Sequence, residues 1–305
     1  MIKRVLYIAL FGFSLFLPVS LFAQPTTIGL ESPSLMKGTR PLGMGNAFIA
    51  VPGSDENAPF YNAASINDYE KKFHGRILSP VVDFSVGSIG LTKDIINLAS
   101  DINNQATNEG KLNTFRTFVD AHSGQFEAVA VRMPIVQIQH QRFFFSTLLD
   151  SRNTFSFRNR AFTNIELQSR SDAGGVLGTA YNFKEMLGIN QNVQAGINVK
   201  LLYRVNIERT ITGADITNNA SFGDILPINR SFGVGFDLGF KGDLPTFGLG
   251  WLDYLKPTAG FTWQDVGNTR FQGAVPDTQQ SISVGFALNP VLAEKWEIHF
   301  ANDFR

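Results

Sequence analysis

The chain has 305 residues, of which 44% are hydrophobic and 17% charged, with 26 Lys+Arg against 26 Asp+Glu. Charge this sparse falls below the rough quarter usual in soluble domains, and the even balance offers neither a basic surface for nucleic acid nor an acidic tail. The cysteine count of zero excludes a disulfide framework, a cysteine metal site and a lipid anchor on a cysteine after the signal.

The chain opens MIKRVLYIALFGFSLFLPVSLFAQ. Lys3 and Arg4 precede an apolar run from Val5 to Leu17, and Ala23 stands before Gln24. This is the pattern of a cleaved export signal over 1–23, although Leu21 is larger than the residue such cleavage favours. Pro18 interrupts the run short of the about 20 residues that a spanning helix needs. No second long apolar run follows, so the expectation narrows to an exported soluble protein or a membrane β-barrel.

Next comes GTRPLGMGNAFIAVPGSDENAPFYNAASI, residues 38–66. Gly43-Met44-Gly45 resembles the start of a dinucleotide loop. Phe48 stands where the third glycine belongs, and no strand precedes the glycines, so context removes that reading. The run after Phe48, Ile49-Ala50-Val51, is expected to be a short strand.

Residues 91–124 carry a helical period. Ile95, Leu98, Ala99 and Ile102 share one face, then Leu112, Phe115, Val119 and His122, with Gly110 between the two turns. A helical insertion over about 92–122 follows, either a hairpin in a long loop or a lid over one end of a barrel.

Period two governs the rest. In SFGVGFDLGF, residues 231–240, Phe232, Val234, Phe236, Leu238 and Phe240 alternate with Ser231, Gly233, Gly235, Asp237 and Gly239. In 192–207 an apolar face from Val193 to Ile207 opposes Gln194, Gly196, Asn198, Lys200 and Arg204. Similar patterns at 80–91, 126–139, 141–150, 165–183, 256–266, 281–288 and 295–304 bring the expected strands to about nine. A soluble sandwich also alternates. Strand length of about ten residues or more and girdle-like aromatics (Tyr203, Trp251, Tyr254, Trp263, Trp296) favour an outer-membrane barrel. The polar face, carrying Lys200, Arg204, Asp237, Glu297 and Asp303 beside glycines, would then line a wet or plugged lumen.

Little else points to chemistry. His74, His122, His140 and His299 stand at no metal-ligand spacing. Nucleophile-elbow spacing is absent, so neither an enzyme nor a cofactor is expected. Asp55 and Glu56 read as a solvated turn. Arg142, Arg152, Arg158, Arg160 and Arg170 either meet anionic lipid headgroups or are ordinary loop and lumen charges.

With the export signal before it and the barrel strands after it, the 38–66 stretch resembles the mature N-terminus of the FadL-like outer-membrane β-barrel family (FadL/TodX transporters, PorV/TraF-like relatives). The matching residues are Arg40 to Phe48, then Ile49-Ala50-Val51, then Ser54 to Ala58, then Phe60-Tyr61-Asn62-Ala63-Ala64. Asn46 replaces the second glycine of a pair, and Ala63 replaces a proline. The resemblance implies an all-β fold: a transmembrane antiparallel barrel of fourteen strands, with an N-terminal plug over 24–75 and the barrel over 76–305. Nine is short of fourteen and odd, and Arg305 falls inside a strand pattern, so the sequence is expected to be incomplete at its C-terminus. The implied function is uptake of small hydrophobic molecules of fatty-acid or hydrocarbon type across a Gram-negative outer membrane, with Gly43, Met44, Gly45, Asn46, Phe48, Phe60 and Asn62 forming the plug and its contacts. Glycine in the plug would let its backbone approach the wall. The alternative is a non-transporting scaffold of the PorV type. Expected partners are outer-membrane lipid and either a small hydrophobic ligand or a secreted protein, with no nucleic acid.

Overall fold

The computed structural model describes residues 35–36, 38–53, 55–68, 73–158, 163–188, 190–218, 225–292 and 296–304. The expected signal peptide over 1–23 lies outside the described residues, as do residues 24–34 of the expected plug and Arg160.

The first strands are β1 His74–Ile77, β2 Val81–Phe84, β3 Phe126–His140, β4 Phe143–Arg158, β5 Asn164–Asn182 and β6 Val193–Thr212. After them come β7 Asn229–Asp243, β8 Pro257–Gln264, β9 Arg270–Phe271, β10 Ser281–Leu288, β11 Val291–Leu292, β12 Trp296–Glu297 and β13 Phe300–Phe304. The helices are α1 Thr39–Gly43, α2 Ala58–Tyr61, α3 Ser88–Asn104, α4 Asn108–Ala121, α5 Lys184–Leu187, α6 Gly213–Asn218 and α7 Gly250–Leu255, with a 3-10 segment at Ala63–Asp68.

One antiparallel sheet runs in the order β1-β3-β4-β5-β6-β7-β8-β10-β13, with β2 also on β3 and β9 also on β7. Its two edges do not pair with each other among the described residues, so the described sheet is open. Among the described residues no helix is long and apolar enough to cross a membrane.

Several local expectations are corrected. The strand expected over 80–91 stops at Phe84, and α3 begins at Ser88. The break between the two long helices falls at 105–107, not at Gly110. Thr107 caps α4 by accepting a hydrogen bond from the Gly110 N–H at 3.1 Å, which puts Gly110 in the first helical turn. Residues Ile49–Val51 form no strand. Their partners are side chains of the sheet, described below.

The sheet's polarity is inverted. Along β7, Ser231, Gly233, Gly235, Asp237, Gly239 and Lys241 are buried, while Phe232, Val234, Phe236 and Phe240 are exposed. Phe232 is 75% exposed, whereas Asp237 on the opposite face is 5% exposed. Strand β6 repeats this: Gln194, Asn198, Lys200, Arg204 and Asn206 are buried while Ile197 and Leu201 are exposed. Along β7 and from Gln194 to Asn206 of β6, the face covered by other parts of the chain is therefore the polar one. In β3 the alternation changes phase at a bulge between Pro134 and Val136. Arg132 before it and Gln137 after it both face the covered side, as one extra residue in a strand requires.

Two layers cover that face. Residues 38–68 lie at the end where β3 and β4 meet in the tight turn Gln141–Arg142. The excursion 265–280 lies over the middle, where β9 pairs with Gly233 and Val234 of β7. On the opposite face, at the far end, α3 and α4 bury Leu91, Leu98, Ile102, Phe115 and Val119 against Phe157 of β4, Ile165 of β5 and Ile211 of β6, which share the parity of Phe143, Leu177 and Ile197. The helical hairpin is thus held by an ordinary apolar core.

Candidate functional site

The glycine motif of the opening stretch is a helix stop. Helix α1 ends with the Asn46 N–H bonded to Pro41 O at 2.7 Å and the Gly45 N–H bonded to Leu42 O at 3.1 Å. That double closure is a Schellman motif, whose first residue beyond the cap takes a left-handed backbone. Gly45 has φ 65° and Asn46 φ 64°. Asparagine is among the residues that tolerate this conformation, so the departure at 46 leaves the backbone turn in place.

From Ala47 onward the segment is bound by side chains of the sheet. The Phe48 and Ile49 N–H groups donate to one carboxylate oxygen of Asp303 on β13, at 2.8 and 3.2 Å. Thr258 Oγ1 on β8 donates to Ala50 O at 2.7 Å. Asn198 Nδ2 on β6 donates to Pro59 O, Gln264 Nε2 on β8 to Phe60 O and Gln139 Nε2 on β3 to Ile66 O, each at 2.8 Å. Lys241 Nζ on β7 reaches Ser65 Oγ at 2.9 Å, Val51 O at 3.3 Å and the Asp68 carboxylate. Burial raises the Asp68 carboxyl above its ordinary range, against the opposing pull of the Lys241 ammonium. At the first edge of the sheet Arg76 of β1 pairs with Glu56. An irregular buried segment must find partners for its backbone groups, and here the wall supplies them.

Asn62 joins segment to wall most directly. Its Nδ2 donates to Ile49 O and to Phe240 O, both at 3.0 Å, and its Oδ1 accepts from the Ala64 N–H at 3.0 Å. Phe48 is fully buried, packs edge-on against Tyr61 at 5.7 Å, and has the Arg40 guanidinium 5.3 Å from its ring centre. Phe60 packs edge-on against Phe144 of β4 at 5.4 Å. Met44 is half-buried against the same apolar cluster. Phe48, Phe60 and Asn62 are therefore brought together inside the covered face, while Gly43, Gly45 and Asn46 shape the helix end that leads into it.

The expected role of the segment's glycines is corrected. A Cβ added at Gly43 or Gly45 would meet nothing within 4 Å. The close approach is made by glycines of the wall. A Cβ at Gly260 would come 2.5 Å from Ile49 O, one at Gly239 2.7 Å from Ala63 N, and one at Gly196 2.8 Å from Ala64 N. Gly178 and Gly285 would bring it to 2.7 Å from Ile66 Cδ1 and 3.0 Å from Ile49 Cβ. Gly196 stands opposite Gly239, and Gly260 opposite Gly285, in adjacent strands. Five successive strands of the sheet, β5, β6, β7, β8 and β10, thus each leave out a side chain to seat one segment. The legible trace of this seat was glycine recurring on the polar parity of several strands.

Beyond the seat the covered face carries buried ion pairs. Asp172 of β5 holds Arg204 of β6 at 2.6 and 3.0 Å and Arg170 at 2.9 Å. Arg204 also donates to Pro276 O and Thr278 Oγ1, both at 2.8 Å, and stacks 4.0 Å from the Phe271 ring centre. Lys200 bridges Asp237 at 2.7 Å and Asp265 at 2.6 Å. These contacts pin the 265–280 excursion onto the sheet. The arginines considered together in the sequence separate here: Arg152 and Arg170 are buried in ion pairs with Asp150 and Asp172, whereas Arg142 is exposed at the opposite end.

Of the histidines, His122 packs on Phe118 and lies 3.5 Å from Asp94, linking the two long helices, and His299 Nδ1 lies 2.7 Å from Asn289 Oδ1. Asp55 caps a turn by accepting from the Asn57 N–H at 2.8 Å. Among the described residues no group of three or more His, Asp and Glu could hold a metal ion. No family model matches the chain, and neither a curated protein nor a solved structure matches it.

Proposed function

We propose that this chain is an outer-membrane β-barrel protein, apolar face to lipid, with its N-terminal segment as a fixed plug, and that it serves as a scaffold for another protein rather than as a channel. The observation that carries the membrane reading is the inverted sheet, with Phe232, Val234, Phe236 and Phe240 outward and Asp237 and Lys241 covered. Strands of 15 to 20 residues, β3 to β7, exceed the length needed to cross a bilayer at a tilt. Lipid leaves no unpaired sheet edge. Support for closure comes from the segment itself, which is tied to β1 through Glu56 and to β13 through Phe48 and Ile49.

The scaffold reading rests on how the segment is held. Displacing it would strip partners from Lys241, Asn198, Gln264, Gln139 and Asp303 together, and each buried polar group left unpaired costs about 1–3 kcal/mol. The uptake reading is supported by one feature, the apolar cluster of Phe48, Phe60, Phe144, Leu148 and Phe271 beside the segment. An alkyl ligand would suit that surface if the segment shifted.

One experiment separates the two. The chain is inserted in vesicles and entry of a labelled long-chain fatty acid is followed, alongside recovery of partners from native membranes by cross-linking. Scaffolding predicts background entry and a reproducible cross-linked protein. Saturable entry that is abolished by tethering residue 50 to residue 258 through a paired-cysteine disulfide would overturn it in favour of uptake.

A further inference from the structure

The apolar face carries a groove at the tight-turn end of β3 to β6. It has a volume of about 350 Å³ and is lined by Phe143, Phe145, Leu177, Thr179, Ile197 and Val199, with His140 at its margin. Strand register explains it. One row across the sheet reads His140, Phe143, Thr179, Ile197, and the next reads Ile138, Phe145, Leu177, Val199. Thr179 is the small member between Phe143 and Ile197, so the surface dips there. One row further toward the turn, Tyr181 stands opposite Ala195, another small residue.

A cation sits at the head of the groove. Arg142 occupies the turn between β3 and β4, where Gln141 takes φ 49°. Its guanidinium lies 4.5 Å from the ring centre of Tyr181, two residues beyond Thr179 on the same face. Among the described residues Arg142 has no carboxylate within ion-pair reach. Stacking on the tyrosine fixes the plane of the guanidinium and leaves its N–H fork free, the arrangement that suits a phosphate.

We propose that this groove binds an anionic phospholipid, one acyl chain lying along Phe143, Thr179 and Leu177 and the headgroup phosphate held by Arg142. The inference rests on the membrane reading above. Short turns of outer-membrane barrels face the periplasm, so the lipid belongs to the inner leaflet. An apolar trough ending in an unpaired, oriented cation matches a diacyl phosphate ester in charge and in shape; a neutral alkane would leave the guanidinium without a partner.

The test uses the full chain in nanodiscs of mixed phosphatidylglycerol and phosphatidylcholine, followed by mild detergent exchange and mass spectrometry of the lipid retained. Wild type is expected to retain the anionic lipid by about fivefold over the zwitterionic one, the scale of one basic side chain at an anionic surface. Arg142→Gln brings the ratio close to one. Thr179→Phe fills the trough and lowers retention of both lipids, and because residue 179 points outward it leaves the covered face untouched. Equal retention of the two lipids by wild type, an unchanged ratio in Arg142→Gln, or displacement by inorganic phosphate alone overturns the lipid site while leaving the membrane reading standing. Failure of the chain to enter nanodiscs at all overturns both.

Discussion

Asp303, on the last strand of the sheet, accepts the backbone N–H of Phe48 at 2.8 Å and that of Ile49 at 3.2 Å. One carboxylate thus fastens the chain's N-terminal segment to the strand most distant from it in sequence. Phe48 is fully buried, so without Asp303 two amides would stand inside the protein with no partner. Asp303→Ala is expected to lower the unfolding free energy by about 2 kcal/mol or more, since hydrogen bonds to charged groups are worth about 1.5–3 kcal/mol. Asp303→Asn, which keeps one acceptor oxygen, is expected to lose less. Denaturant titration of the detergent-solubilised protein measures both, and an Asp303→Ala curve overlying wild type would mean the contact does not hold the segment.

The wall glycines allow a sharper contrast. A Cβ at Gly239 would run into Asn62 Oδ1 and also into backbone, 2.7 Å from Ala63 N and 2.9 Å from Ala64 N, which cannot yield as a flexible side chain can. Gly239→Val is therefore expected to expel residues 60–66 and open them to protease. Gly43, despite its place in the conspicuous motif, has open space around its missing Cβ and no positive φ. Gly43→Ala is expected to stay within about 0.5 kcal/mol of wild type, as surface substitutions usually do. Limited proteolysis with mass mapping reads both, and equal sensitivity of the two variants would refute the seat.

These two glycines also mark how far the sequence could be read. Period-two alternation reports which residues share a face, so the β7 split between Phe236 and Asp237 was legible from 231–240 alone. Alternation is silent about what lies on the polar face. That needs register, because Gly196 meets Gly239 only through the pairing of β6 with β7. Gly43 and Gly45 suggest a close approach because they stand two residues apart in sequence, yet the crowded glycines are scattered over five strands. The helix stop at Leu42 to Asn46 was hidden for a different reason. A Schellman closure is written in backbone bonds, and in sequence its only mark is a glycine just past a helix, here a helix of five residues.

The buried charges make a third prediction. Arg204 is fully buried, and Asp172 is its partner across the β5–β6 pair. Removing one member leaves the other charged and unpaired, which costs about 3–5 kcal/mol in comparable buried pairs. Arg204→Met and Asp172→Asn are each expected to destabilise on that scale, and the double variant by clearly less than their sum. Arg204→Met should additionally release Thr278 and Pro276, raising hydrogen exchange across 270–280. A strictly additive cycle would show that the pair is not coupled.

The open face offers the decisive test of what surrounds the sheet. Phe236 sits midway along β7, is 43% exposed, and points away from residues 38–68 and from the 265–280 excursion. On a water-facing sheet, replacing an exposed phenylalanine by arginine changes stability by no more than about 0.5 kcal/mol and improves solubility. At the middle of a bilayer the same change costs about 2–4 kcal/mol. Phe236→Arg is therefore expected to weaken folding into phospholipid vesicles by that larger amount, measured by urea titration of the vesicle-bound chain. Phe247→Arg, at a position 84% exposed in the loop after β7, is expected to have little effect. The dependence on position is what matters: a penalty at 236 with none at 247 requires an apolar medium around the middle of the sheet, whereas two small and equal effects would place water there instead.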